Sequence, residues 1–416
     1  MNSIQSKPNF LNACRSVDCF ENIMKISEGT FGVVYKARNI ETGEIVALKR
    51  LKVTDNKSGI PITFLREIKI LLQQNHPNLL NVKEVVKGQM MNDFYLVMEY
   101  IDFDLYDLIQ TTSSKTPFIS SEIKCIMKQL LQGVSHLHKN WVMHRDLKTS
   151  NLLLSTQGIL KIADFGSAKE IGKSQTPSPS PSPSNQQMQK ITTSLLESTH
   201  GVTTPLYRAP EIFLGSTRYS FAIDIWACGC IFAELIYEKP FFEGKKEFEI
   251  MNCIFSRVGI PDEDSNWPGW KQFPGAKTIN IQGTVNKAQK GTKLTPLLET
   301  GKGRQIFSRL TNSGYDLLLR MLTLCPERRI TAEEALKHPY FDEQPLPSQQ
   351  IEITDTRIQD MREKHQKKLG IQDKFNFETV NSEQTNKGWS IWRTFGASAP
   401  TSMLPSKLEK ATNSAK

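Results

Sequence analysis

The sequence predicts an α+β fold in two unequal parts, a small strand-rich part followed by a larger helix-rich one. Three observations predict it. Between Asn22 and Leu51 apolar and polar residues alternate, as half-buried strands require. From Asp104 onward apolar residues recur at helical spacing, in runs such as "SEIKCIMKQLLQGVSHLHK". The 416 residues are 38% hydrophobic, enough for a substantial core with solvated segments beside it.

Taken in order, residues 1–19 are polar and are expected to form a flexible arm. "VVYKARN" (Val33–Asn39) and "EIVALKRL" (Glu44–Leu51) flank a turn at Gly43 and form a strand pair. Pro61 suits a first helical turn. Behind it Ile62, Leu65, Ile68, Leu71 and Leu72 share one helix face. His76-Pro77-Asn78 ends that helix, and "LLNVKEVV" and "FYLVMEYI" supply two further strands. The later helices include "FAIDIWACGCIFAELIY" and "SGYDLLLRMLTL". Residues 261–305, rich in Gly, Pro, Lys and Asn, are expected to be a surface insertion. Residues 342–416 have the composition of a largely disordered tail, apart from Trp389 and Trp392.

Composition excludes several classes. The net charge of +9 is spread along the chain without a basic block, so direct nucleic-acid binding is not expected. No apolar run approaches the ~18 residues of a membrane span, and the N-terminus lacks a signal-type apolar stretch. Seven cysteines show no zinc-type spacing, and Cys228 and Cys230 sit in an apolar run as buried thiols would. The expectation is a soluble, reduced, intracellular protein with no membrane partner.

The chemistry is written in several separated motifs. "ISEGTFGVVYKAR" (Ile26–Arg38) puts Gly29 and Gly32 between two strands, where small residues let backbone N–H groups approach phosphate oxygens. Lys49 ends "IVALK" on the next strand, and Glu67 follows on the amphipathic helix beside Arg66. "HRDLKTSNLLL" (His144–Leu154) is followed by "IADFGSAK" (Ile162–Lys169) and by "YRAPE" (Tyr207–Glu211). Here Asp146 can accept a hydroxyl proton, Asn151 and Asp164 can hold Mg²⁺ through oxygen, and Lys148 can neutralise charge on a transferred phosphoryl group.

Together these motifs resemble the protein kinases, over residues 20–341. The resemblance implies a bilobal protein kinase fold, with an N-lobe (20–101), a C-lobe (102–341) and an expanded activation loop (167–208). It assigns Asp146 as catalytic base, with Lys148 and Asn151 beside it, and Asn151 and Asp164 as metal ligands. ATP would lie under the loop Ile26, Ser27, Glu28, Gly29, Thr30, Phe31, Gly32, Val33 and Val34. Lys49, paired with Glu67, would hold its phosphates. Ile26, Val34, Ala47 and Leu153 would sandwich adenine, Glu99 and Ile101 would offer backbone contacts, and Met98 would stand just before them. Lys148 followed by Asn151, with Thr204 ahead of "YRAPE", fits Ser/Thr kinases. Glu211 would pair with Arg329.

"PITFLRE" (Pro61–Glu67) is similar to the cyclin-binding helix of cyclin-dependent kinases, closest to the PITSLRE type. That implies a cyclin as partner, protein substrates with Ser or Thr before Pro, and a site in the nucleus, the cytoplasm or both. Arg66, Arg145 and Lys169 would converge on phosphorylated Thr199. The alternatives left open are a pseudokinase scaffold and a cyclin-independent mitogen-activated-type kinase. Ser27 stands where the family's first loop glycine is usual, Phe31 where many relatives have Tyr, and Ser167 where Leu follows the Asp-Phe-Gly motif. Lys169 replaces an Arg fork by a point charge. Pro205 and Leu206 replace Leu-Trp, which bears on the proline-directed expectation. The run "TPSPSPSPSNQQ" falls inside the activation loop, which far exceeds the ~12–15 residues usual for a loop. Thr176, Ser178, Ser180 and Ser182 each precede Pro and are expected phosphorylation sites.

Overall fold

The computed structural model describes residues 14–29, 32–51, 62–89, 93–112, 117–171, 205–217, 220–277 and 297–351, and a few positions up to 363. For residues 62–67 only the backbone is described. Thr30, Phe31, Pro61, Thr199, the Ser-Pro run and the two Trp near the C-terminus lie outside the described residues.

The N-terminal part is a five-stranded antiparallel sheet in the order β1-β2-β3-β5-β4. Its strands are β1 (Phe20–Gly29), β2 (Gly32–Asn39), β3 (Ile45–Leu51), β4 (Val82–Lys87) and β5 (Phe94–Glu99). Helix α1 (Ile62–Gln73) lies between β3 and β4 in the chain. Side chains alternate faces along a strand, so one register divides the sheet into two chemistries. Val34 lies opposite Lys49, and Ala47 opposite both Lys36 and Met98, which puts these residues on one face. Val46, Leu48, Ala37 and Val97 point the other way and form a separate apolar cluster.

That outer cluster corrects the expectation of a flexible arm for residues 14–19, while residues 1–13 lie outside the described residues. Val17 is 2% exposed and packs with Phe20 against Leu48, Val86 and Tyr95. Arg15 donates to Glu41 at 2.7 Å and to Glu84 at 3.0 Å, and its carbonyl accepts the Lys87 N–H at 2.9 Å. Residues 14–19 therefore cover the sheet. A single apolar residue among polar ones carries no periodicity, which is why composition alone reads it as loose.

The C-terminal part is built round α5 (Ala222–Tyr237), whose residues Ile223–Ile236 are all buried, as a helix apolar on every side must be. The other helices are α2 (Leu105–Thr112), α3 (Ser120–Lys139), α4 (Pro210–Phe213), α6 (Glu247–Val258), α7 (Gly301–Ile306), α8 (Asn312–Met321) and α9 (Ala332–Leu336). Helix α3 packs on α5 and α9, and α8 packs on α5. Caps fix their starts. Thr311 Oγ1 accepts the Gly314 N–H at 3.1 Å, and Thr331 and Glu334 cap each other reciprocally at α9. Five short strands complete this part: β6 (Phe103–Asp104), β8 (Leu152–Leu154) and β9 (Leu160–Ile162) in one sheet, and β7 (Val142–Met143) with β10 (Lys169–Glu170) in another. Within the stretch expected to be a surface insertion, Trp267, Trp270 and Leu298 are buried, so apolar anchors tie it down on both sides of residues 278–296.

The tail also departs from expectation. Residues 342–351 pack on the helical part instead of leaving it. The Ser348 N–H bonds the Ser121 carbonyl at 3.1 Å, and Ile351 is 2% exposed. A Cβ on Gly158 (φ +73°) would sit 2.5 Å from the Ile351 backbone, so that position must stay bare. Further on, Arg357 donates to both Glu122 oxygens, at 2.7 and 3.2 Å, in a buried pair, with its guanidinium over the Phe118 ring.

Candidate active site

The inner sheet face brings Lys49 across to the helical part. Lys49 Nζ donates to Asp164 Oδ1 at 3.0 Å, joining β3 to the Asp-Phe-Gly segment. Burial raises the Asp164 pKa, but the ammonium beside it outweighs that and holds the carboxyl below its ordinary value. Asp164 has φ 60°, a left-handed conformation uncommon for a non-glycine residue. Phe165 behind it is buried and meets the His144 ring edge-on at 4.9 Å.

On the same sheet face, Ala47 and Met98 are buried, and Val34, Ile101 and Leu153 pack against their cluster. Ile26 falls in a β1 irregularity between Lys25 and Ser27. Ser27 and Glu28 pair with Val34 and Val33, and Gly29 with Gly32. Glu99 is tied on two sides: its carboxylate accepts the Asn81 N–H at 2.7 Å and pairs with Lys161 at 2.9 Å. Lys36 Nζ lies over the Tyr100 ring at 4.1 Å, and burial pushes the Tyr100 hydroxyl up to about 12.

The catalytic-loop candidates converge. Lys148 Nζ donates to Asp146 Oδ2 at 2.7 Å. Asn151 Nδ2 donates to the Asp146 carbonyl at 2.8 Å and to Asp146 Oδ2 at 3.3 Å. With its nitrogen spent on Asp146, the Asn151 side chain keeps an amide oxygen for a cation. That oxygen and the Asp164 carboxylate are hard donors of the kind Mg²⁺ takes. Among the described residues no group of three or more His, Cys, Asp or Glu is placed to hold a metal. Two protein oxygens, completed by phosphate and water, fit a Mg²⁺ bound with a nucleotide.

The loop is held by a residue that the motifs did not reveal. Asp224, buried at the start of α5, accepts the His144 N–H at 2.9 Å and the Arg145 N–H at 2.8 Å. It also accepts from His138 Nε2 at 2.9 Å. Burial raises its pKa, but these donors outweigh that and keep the carboxyl low. The clamp holds Arg145 at φ 67°. The only trace in the sequence is a lone carboxylate in the apolar run "FAIDIWACGC". His144 Nε2 donates to the Ala163 carbonyl at 3.0 Å, linking the loop to the segment before Asp164.

Of the regulatory candidates, Arg145 Nε donates to the Ser167 carbonyl at 2.5 Å, and Lys169 pairs through its backbone with Met143. The side chains of Arg66 and Glu67, like Thr199, lie outside the described residues. Glu211 and Arg329 form the expected pair, two buried bonds at 2.9 and 3.0 Å, with the guanidinium also satisfying the carbonyls of Ala222, Thr323 and Leu324.

The protein kinase domain family matches residues 20–341. Rice cyclin-dependent kinase G-2 is 45% identical over 339 residues, 82% of this chain and 44% of that protein. Human cyclin-dependent kinase 11B is 45% identical over 350 residues, 82% of this chain and 39% of that protein. Dictyostelium discoideum cyclin-dependent kinase 11 is 44% identical over 336 residues, 81% of this chain and 84% of that protein. The chain thus spans under half the length of the rice and human relatives. Among solved structures, the yeast RNA Pol II CTD kinase CTDK-1 complex contains a chain of similar fold. Its TM-score is 0.65 at 32% identity, covering 82% of this chain and 97% of that one. The chain belongs to the protein kinase family, and within it to the cyclin-dependent kinases of the 11 type.

Proposed function

We propose that this chain is a cyclin-dependent serine/threonine kinase that transfers the terminal phosphoryl group of ATP, with Mg²⁺, to Ser or Thr hydroxyls preceding Pro in protein substrates. The observation that carries this reading is the convergence of Lys148 and Asn151 on Asp146, with Lys49 on Asp164.

Asp146 orients the substrate hydroxyl. Lys148 and Asn151 hold its Oδ2, which leaves Oδ1 to accept the hydroxyl proton as the substrate oxygen forms its bond to phosphorus and the bond to the ADP oxygen breaks. The Lys148 ammonium offsets charge on the group in transfer. Asn151 Oδ1 and the Asp164 carboxylate would hold Mg²⁺, which supplies neutralisation of phosphate charge when bound. Lys49 would hold phosphate oxygens, and its contact with Asp164 ties β3 to the Asp-Phe-Gly segment beside them.

A cyclin would pack on α1. In support, Leu72 on that helix is 58% exposed, an apolar side chain in need of cover, and Lys69 pairs with Glu170 at the root of the activation loop at 2.6 Å. The names of the relatives support a cyclin as partner, and the likeness to an RNA Pol II CTD kinase supports a transcription-linked substrate. The test is phosphate transfer to a Ser-Pro peptide by the full chain co-expressed with candidate cyclins. Asp146→Asn is expected to lower kcat by roughly 10²–10⁴. Equal transfer by both proteins sinks the proposal and leaves the scaffold reading.

A further inference from the structure

Three hydroxyl and carboxyl groups meet in a closed triangle behind Lys148. Thr149 Oγ1 lies 2.9 Å from the Tyr207 hydroxyl and 3.3 Å from Glu234 Oε1, and the Tyr207 hydroxyl donates to Glu234 Oε2 at 2.6 Å. Thr149 follows Lys148 in the catalytic loop, Tyr207 lies in the segment leading into α4, and Glu234 belongs to α5. Thr149 and Glu234 are 0% exposed. Among the described residues no cation pairs with Glu234.

Proton counting defines the state of this triangle. Three contacts need three protons, and two hydroxyls supply two. With Glu234 ionised, both hydroxyls donate to it, Thr149 to Oε1 and Tyr207 to Oε2, and the 2.9 Å contact between Thr149 and Tyr207 holds no proton. All three contacts are closed only when Glu234 carries the third proton and donates it to Thr149 Oγ1, which frees the Thr149 hydroxyl to donate to Tyr207. A buried carboxyl with no cation favours that form, and burial raises the Glu234 pKa from 4.5 to about 7. The other groups nearby do not compete. Burial keeps the Cys230 thiol protonated, Arg329 is committed to Glu211, and Lys148 to Asp146.

We propose that Glu234, Thr149 and Tyr207 form a proton-closed ring that positions the catalytic loop against the substrate-binding segment, with Glu234 as a positioning residue that never touches substrate. This rests on the kinase reading above and deepens it. Closing the ring fixes Thr149, and with it the backbone that aims Lys148 and Asp146. It also fixes Tyr207, which sets the segment that meets the residue after the phosphoacceptor. Opening the ring loosens both at once, so peptide handling suffers while nucleotide handling does not.

The experiment uses the full chain purified from cells with its accompanying cyclin, a Ser-Pro peptide, and pH values from 6 to 8.5. Thr149→Val keeps shape but removes the hydroxyl, and should lower kcat/KM for peptide by about tenfold with the KM for ATP unchanged. Thr149→Ser should stay within about twofold. Glu234→Gln supplies one donor end and one acceptor end, as the protonated carboxyl does. The wild-type peptide KM should rise by about threefold or more across pH 7, and that of Glu234→Gln should stay flat. An active wild type whose profile superimposes on that of Glu234→Gln overturns the ring, as does Thr149→Val within twofold of wild type. A wild type that transfers no phosphate overturns the kinase reading instead.

Discussion

Asp224 shows how one carboxylate governs a site it does not enter. Its two oxygens accept two consecutive backbone N–H groups and one imidazole, so no lone pair direction is wasted on solvent. Asp224→Asn replaces one acceptor by a donor facing an N–H. Kinase activity is expected to fall by about tenfold or more, with the fold retained by circular dichroism, since a buried unsatisfied donor costs ~1–3 kcal/mol. Asp146, Asn151, Asp164 and Lys49 could be picked out of the sequence because they sit in short motifs of fixed spacing, and the structure brings Asn151 to Asp146 and Lys49 to Asp164. Asp224, Thr149 and Glu234 were not legible as a group. They act through backbone or through each other, from positions up to 85 residues apart.

At the scale of elements, the strands and long helices could be read because each has one continuous apolar face. The covering segments could not, because each rests on a few isolated anchors: Val17 on the sheet, Ile351 against Gly158, and Arg357 on Glu122. Both segments nonetheless bury what the regular elements leave open. Ending the chain at Phe341 removes the Ile351 contact and strands the buried Glu122 carboxylate without Arg357. Breaking a buried pair and uncovering one Ile should together cost ~5–8 kcal/mol. A lower midpoint in urea unfolding checks this, and an unchanged midpoint contradicts it.

For the whole molecule, the shifted carboxyls pull stability in opposite directions with pH. Asp164 and Asp224 are held low, so the stability they contribute is present above the ordinary carboxylate range and is lost as pH falls through their depressed values. Glu234 is raised, so its contribution is complete below 4.5 and is lost as pH rises through about 7. The Glu234 share is roughly 3 kcal/mol over that window. Urea unfolding of the wild type between pH 5 and 8 should therefore show a decline that Glu234→Gln lacks. Parallel curves for the two proteins would contradict this assignment.

The buried bond between Arg357 and Glu122 joins positions 235 apart in the chain. A ribosome delivers the carboxylate long before its partner. Throughout that interval Glu122 can accept the Ile119 N–H but lacks the guanidinium that offsets its charge, so burying it is costly. The pair is completed only when Arg357 has emerged, long after α3.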